Sequence, residues 1–243
     1  MKKPTISIII PVFNGKRTLE KTLRSVWAQS LPALEILVID GGSTDGTQAI
    51  IQAHENRISY WISEPDKGVY SAINKGIRKA TGEWIYILGS DDALASTDVL
   101  ESASAHLTDS YDVVFGSVRN LNVKHSMVPE VHVSSMSTAL YIRNTLHQQS
   151  AFYRRSLFGN EPFDSSLRVL ADYDFHLSLF RRGIHYKSLD LIIAECEASG
   201  LSKQFNAALY REEFRLKKNN LGWLAALSLS PVIAAKYVFK QLR

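Results

Sequence analysis

The chain carries a single cysteine, Cys196, among 243 residues, so an internal disulfide is excluded and a reducing compartment suits it. No ordered Cys/His constellation surrounds that thiol in the sequence, which removes it as a candidate nucleophile. Long apolar runs are also missing. The first, "ISIIIPV", is broken by Ser7 and Pro11 and lacks the extended core and cleavage site of a signal peptide. It reads as a first strand, and the expected location is cytoplasmic. The first strand–helix turn, "PVFNGKRT", has no G-x-G-x-x-G, which argues against a dinucleotide-dependent dehydrogenase. Charge of one sign is nearly balanced: the net +4 suits anionic ligands or an anionic surface, and no nucleic-acid motif accompanies it. There is no internal repeat and no low-complexity segment. What remains is ordinary globular composition, 45% hydrophobic and 21% charged, enough for one large domain or a domain with an appendage.

The first ~90 residues alternate between two periodicities. Ile6–Ile10 is short, continuous and β-branched, as a strand covered on both faces should be. Leu19, Leu23, Val26 and Trp27 recur at helical spacing. Leu34–Ile39 is a second strand, ending at Asp40 in the turn-rich "DGGSTDGT", and a helix follows near Gln48–His54. Ile58–Ile62 is a third strand. Val69, Ile73, Ile77 and Ala80 mark a helix, with Asp66 placed to cap it. Trp84–Leu88 is the fourth strand. Such alternation predicts an α/β fold with a mostly parallel, Rossmann-like sheet flanked by helices. The second half is less regular: a strand at Asp112–Gly116, a polar loop at Ser126–Ser137, a strand at Gln149–Tyr153, and a helix in "DYDFHLSLFRRG" stopped by Gly183.

In sheets of this kind ligands bind beyond the carboxyl ends of the strands. Asn14, Asp40, Glu64–Lys67 and Asp91–Asp92 all fall there, so four segments bring polar groups to one edge. The adjacent carboxylates of "YILGSDDALA" are the most telling. Neighbouring like charges repel, and the flanking sequence offers no basic partner. Either the pair is a solvated turn, or its positive counterpart arrives as a ligand.

With these residues in place, the chain resembles the family 2 glycosyltransferases of GT-A fold. The stretches that carry the resemblance are "SIIIPVFNGKRTLEKTLRSVWAQS", "EILVIDGGSTDGT", "ISYWISEPDKGVYSAINKGIRKATGEWIYILGSDD", "HQQSAFYRRSLF" and "LADYDFHLSLFRRG". The resemblance implies a GT-A domain over residues 1–200, with a nucleotide-sugar half to about 95 and an acceptor half beyond it. It makes "SDD" the DxD-type site: Asp92 a direct ligand of Mn2+ or Mg2+, Asp91 a partner of the ribose or the metal shell. Hard carboxylate oxygens suit such cations, which neutralise a departing nucleoside diphosphate. Pro11, Val12 and Asn14 stand where the family holds the nucleobase. Asp40 matches the carboxylate that accepts a hydrogen bond from the base, favouring uracil or another base with a ring N–H; an Asx turn is its structural alternative. Lys67 is either a phosphate contact at a helix N-terminus or a surface lysine. His147 and Gln148 resemble the "HQ" step on the acceptor side.

By position Asp172 matches the general base that deprotonates the acceptor hydroxyl; an N-cap is its alternative role. The family commonly has an acidic pair here, and Ala171 replaces the first acid. Asp174 reads as structural. The implied reaction is a single displacement with inversion, from a nucleotide-sugar, with UDP the expected nucleotide, to a saccharide or lipid-linked saccharide in cell-surface polysaccharide assembly. A Q-x-x-R-W motif is absent, which argues against a processive synthase. A sugar nucleotidyltransferase and a catalytically silent nucleotide-binding protein remain as alternatives. Residues 201–243 form a helical tail. Lys236, Lys240 and Arg243 make a basic stripe beside Val232, Ala235, Val238, Phe239 and Leu242, with Trp223 and Tyr237 nearby. Such a helix suits the surface of an anionic membrane, and hence a peripheral location on its inner face. Packing on the domain or across a homodimer is the alternative.

Overall fold

The computed structural model describes residues 5–33, 35–123, 128–159, 161–197 and 207–241. β1 (Ile6–Val12) is buried at all its positions. Its isoleucines divide between two cores. Ile6, Ile8 and Ile10 face one side with Leu19, Leu23 and Val26 of α1 (Leu19–Trp27), whereas Ile9 faces the other. That division is why the run is continuously apolar rather than alternating. β2 (Glu35–Asp40), β3 (Tyr60–Ser63) and β4 (Trp84–Ile87) join β1 in a parallel block ordered β3-β2-β1-β4. α1, α2 (Thr47–Ala53) and α4 (Val99–Ser104) cover one face. α3 (Val69–Lys79) and α5 (Ala171–Arg181) cover the other.

Beyond β4 the sheet becomes mixed. β8 (Ala151–Arg154) runs antiparallel to β4 and to β6 (Val113–Leu121), β9 (Tyr186–Glu197) is parallel to β6, and β5 (Ala93–Leu94) closes the edge against β9. Among the described residues this makes nine strands in one sheet. β7 (Val131–Val133) pairs with β6 inside the segment expected to be a polar loop, of which residues 124–127 lie outside the described ones. Both of its valines are exposed, so no apolar-inward alternation announced it. β9 carries no expectation in the sequence either.

Asp66 does not cap α3. Its Oδ1 accepts the N–H of Gly68 at 2.8 Å, and Gly68, at φ 122°, is itself the residue preceding the helix.

The expected boundary at residue 200 falls outside the described residues. Among the described residues after it, the first element is α6 (Ala207–Leu221), whose Leu216 is fully buried in the core that contains α5. α7 (Trp223–Gln241) follows, and no described helix is long and apolar enough to cross a membrane. Lys236, expected on an outward basic stripe, instead turns inward to Glu213 at 2.8 Å and the Ile142 carbonyl at 2.6 Å. The side chains of Tyr237, Phe239, Lys240, Leu242 and Arg243 lie outside the described residues.

Candidate active site

The ends of β1, β2 and β4, the turn before α3, and the start of α5 surround a cleft of about 1180 Å³. Pro11, Val12, Asp91, Asp92, His147, Gln148 and Asp172 all line it, so residues from both halves of the chain meet in one place. Asn14, Asp40 and Lys67 do not. Asn14, at φ 53°, donates its N–H to Ser43 Oγ at 2.7 Å and accepts the Thr44 N–H at 3.0 Å. The Asp40 carboxylate is wholly buried and takes hydrogen bonds from the N–H and hydroxyl of Ser43, three residues on, and from the Ser63 hydroxyl, so the expected two-residue Asx turn is replaced by a wider loop closure. Gly41 and Asp66 stand in the wall beside it. Lys67 is exposed.

Asp91 is exposed and Asp92 is buried, yet both carboxylates fold back over Gly89. A methyl group built there would meet Asp92 Oδ2 at 2.5 Å and Asp91 Oδ1 at 3.1 Å. Asp92 Oδ1 accepts the Glu197 N–H at 3.2 Å, and the Cys196 thiol and Gln149 also donate to this carboxylate. Burial, with the negative charge of Asp91 adding to it, still pushes the Asp92 carboxyl up to about 7. Two hard carboxylates converging on one spot, one of them ionised at a cost, fit a divalent cation. Among the described residues no three His, Cys, Asp or Glu side chains cluster to hold a metal. A cation here would complete its shell from phosphate and water, as Mg2+ and Mn2+ do with nucleotides. Gly89→Ala should displace both carboxylates and weaken Mn2+-dependent UDP binding by about tenfold or more, read by calorimetry.

Asp172 is the second residue of α5; the capping position is Leu170. Its Oδ1 lies 3.1 Å from the Tyr70 hydroxyl and its Oδ2 accepts Asn144 Nδ2 at 3.0 Å. Burial pushes the carboxyl up to about 6, against the Tyr173 N–H, Tyr70 and Asn144 bonds that favour the ionised form. Tyr70 has one proton and two acceptors, since the Val169 carbonyl lies 2.7 Å from the same hydroxyl. It can donate to the carboxylate, or donate to Val169 and accept from the protonated acid. The pocket therefore suits Asp172 before and after proton uptake. Asn144 is oriented in turn by His176 Nδ1 at 3.2 Å, and His176 Nε2 by the Tyr153 hydroxyl at 2.7 Å. His176 is fully buried and held down to about 3, mainly by burial, so it stays neutral and donates from Nδ1. Sequence reasoning missed Tyr70, Asn144 and Tyr153; His176, four residues after Asp172 on one helix face, was detectable by spacing.

Gln148, also in the cleft lining, is 9% exposed, and its Nε2 has no hydrogen-bond partner among the described residues. A buried amide donor facing a cleft is costly unless a ligand satisfies it. The His147 N–H donates to Ser134 Oγ at 3.1 Å, and its ring centroid lies 5.8 Å from that of His132.

Over 188 residues the chain is 36% identical to PGL/p-HBAD biosynthesis glycosyltransferases of Mycobacterium bovis and Mycobacterium tuberculosis, covering 74% of this chain and 71% of theirs. A further glycosyltransferase of Mycobacterium tuberculosis is 33% identical over 180 residues, covering 72% of this chain and 68% of its own. Among solved structures, S. aureus TarS superposes with a TM-score of 0.70 at 21% identity, over 87% of this chain and 39% of TarS. A shorter TarS in complex with UDP-GlcNAc gives 0.69 at 21% identity, over 87% and 65%. The mannosyltransferase PcManGT from Pyrobaculum calidifontis, in complex with GDP-Man and Mn2+, gives 0.63 at 18% identity, over 97% and 74%. These likenesses establish the GT-A fold. The Glycosyl transferase family 2 model matches residues 7–189, and with the identities above it identifies this chain as a member of that family.

Proposed function

We propose that the protein transfers a sugar from a nucleotide-diphosphate donor, with UDP the favoured nucleotide, to a saccharide or lipid-linked saccharide hydroxyl, with inversion. One observation carries the reading: a single cleft is lined by the Asp91–Asp92 pair at the end of β4 and by Asp172 at the start of α5. The first is suited to a nucleoside diphosphate, the second to proton uptake. Mn2+ or Mg2+, when bound at Asp92 beside Asp91, supplies charge neutralisation for the diphosphate. Pro11, Val12 and Gly41 border the nucleotide side of the cleft. Asn14 and Asp40 act one step back, holding the 41–44 loop through Ser43 and Thr44. Lys67, exposed beside the cleft-lining Asp66 and Gly68, approaches the phosphates in this reading.

Asp172 takes the acceptor proton on Oδ1, the oxygen shared with Tyr70, while Asn144 keeps Oδ2 fixed. The freed oxygen attacks the anomeric carbon from the side opposite the leaving diphosphate. Holding acceptor, sugar and base in line supplies much of the rate. Gln148, with its unpaired buried donor, and His147 beside it hold the acceptor.

The mycobacterial relatives, named for PGL/p-HBAD biosynthesis, support a glycoconjugate acceptor. Exposed Trp223, Leu224, Leu227, Val232 and Val238 on α7 support a peripheral seat on the inner membrane face. A thermal-shift panel of nucleoside diphosphates and nucleotide-sugars, with and without Mn2+, tests the reading. A native-state ligand raises the Tm by mass action, and a metal-dependent shift with uridine nucleotides is expected. No shift with any nucleotide counts against the donor site.

A further inference from the structure

The tail meets the catalytic half at a few polar points, and these gather around Asp172. Glu212 of α6 accepts three successive backbone N–H groups: Arg168 at 2.8 Å on Oε1, then Val169 at 3.0 Å and Leu170 at 3.2 Å on Oε2. The same three-residue loop has two other tasks. The Val169 carbonyl accepts the Tyr70 hydroxyl, and the Leu170 carbonyl accepts the Asp174 N–H at 2.9 Å, opening α5. Asp172 lies between them. Further along α6, Asn220 Nδ2 donates to Asp174 Oδ1 at 2.6 Å and Arg215 donates to the Ser166 carbonyl at 2.8 Å.

The second support of Asp172 is tied to the tail as well. Lys217 of α6 and Lys236 of α7 both donate to the Ile142 carbonyl, at 2.9 and 2.6 Å, two residues before Asn144. Glu213 bridges the two ammonium groups at 2.9 and 2.8 Å, and Lys217 is wholly buried there. Buried charge in this arrangement is hard to break, because removing one partner strands the other. The loop that carries Asn144 and the loop that leads into α5 are thus both pinned from the C-terminal helices.

We infer that Glu212 is a positioning residue for the base: by gathering the N–H groups of residues 168–170 it fixes where Tyr70 and Asp172 stand. The tail is then part of the transfer machinery as well as a candidate membrane contact. A carboxylate suits the task because three N–H donors converge on it, and charge-assisted bonds of this kind are stronger than neutral ones. Glutamine keeps the shape but loses one acceptor and turns an NH2 group toward backbone donors. Alanine removes the clamp altogether.

The inference rests on the transferase reading above, so the experiment separates the two. The full chain and its Glu212→Gln and Glu212→Ala variants are compared with Mn2+ and, as probes, UDP-glucose, UDP-galactose and UDP-GlcNAc. UDP release to water gives kcat and KM, calorimetry gives UDP affinity, and hydrogen exchange reads the amides of residues 168–170. The expected result is faster exchange at those amides, a kcat lowered by about tenfold in the glutamine variant and more in alanine, with KM and UDP affinity within about twofold. Faster exchange with kcat unchanged overturns the inference. So do unchanged exchange in both variants, and a fall of kcat and UDP affinity together in the folded glutamine variant, which would mark a general structural role. If the unsubstituted protein releases no UDP from any of the three donors, the transferase reading fails on these probes. The inference is then decided by the side-chain carboxyl NMR resonance of Asp172, which must move in Glu212→Gln and overturns it by staying still.

Discussion

Asp172→Asn should lower sugar transfer on the order of 10³-fold while leaving UDP affinity within about twofold. The substitution fits its pocket. An asparagine oxygen can accept Asn144 Nδ2, and its NH2 can donate to the Tyr70 oxygen once that hydroxyl donates to Val169. Tyr70 and Asn144 both keep a partner, so the fold should stand and the loss should fall on kcat. What disappears is a carboxylate that takes a proton. In the unsubstituted protein, transfer should rise with pH through about 6, because burial holds the carboxyl there and only the ionised form is a base. The Asp172→Asn variant should show no such limb. Steady-state rates between pH 5 and 8 on both proteins would decide it, and equal rates would remove Asp172 from the chemistry.

Asp92→Asn should have the second large effect, and its two consequences have opposite signs. Mn2+-dependent UDP affinity should fall by about 100-fold, since a neutral amide is a poor ligand for a hard cation. Without metal, stability should rise. The folded carboxyl sits at about 7, above the ordinary carboxylate value near 4, so ionising it opposes folding. Stability from this group is present below the unfolded pKa and is lost as pH rises through about 7. At pH 8 the asparagine variant escapes that loss, and a Tm higher by a few degrees is expected. The substituted side chain can still accept the Glu197 N–H through its carbonyl oxygen. Unchanged UDP affinity with Mn2+ in this variant would sink the metal assignment.

The pair of results also separates the rival activities. A silent nucleotide-binding protein loses binding with Asp92 and shows no change with Asp172. A sugar nucleotidyltransferase forms pyrophosphate and gives Asp172 no task. Only a transferase divides its losses between the two residues in the way described.

Several elements were written plainly in local pattern. β1 to β4 and the helices between them follow from short apolar runs and helical spacing, because parallel strands covered on both faces have no polar side to show. The DD pair at a strand end and the helix beginning near Asp172 were readable for the same reason. β7 was not, since its valines face outward, and β9 was obscured by the charged residues Lys187, Asp190 and Glu195 along its length. Lys236 read as an outward-facing cation and lies instead against Glu213.

The amino-acid order by itself thus determined the α/β alternation, the strand-end cluster of carboxylates and the family resemblance, all of them short-range patterns set by backbone periodicity. Only the tertiary structure decided which side chains serve Asp172. Tyr70 lies 102 positions before it, Asn144 28 before it, and Glu212 reaches Val169 from 43 positions away. It also decided that Asp40 is wholly buried and does not line the cleft, whereas its neighbour Gly41 does. Partners so distant are selected by packing and by the need to satisfy buried polar groups, and neither leaves a periodic trace in the chain.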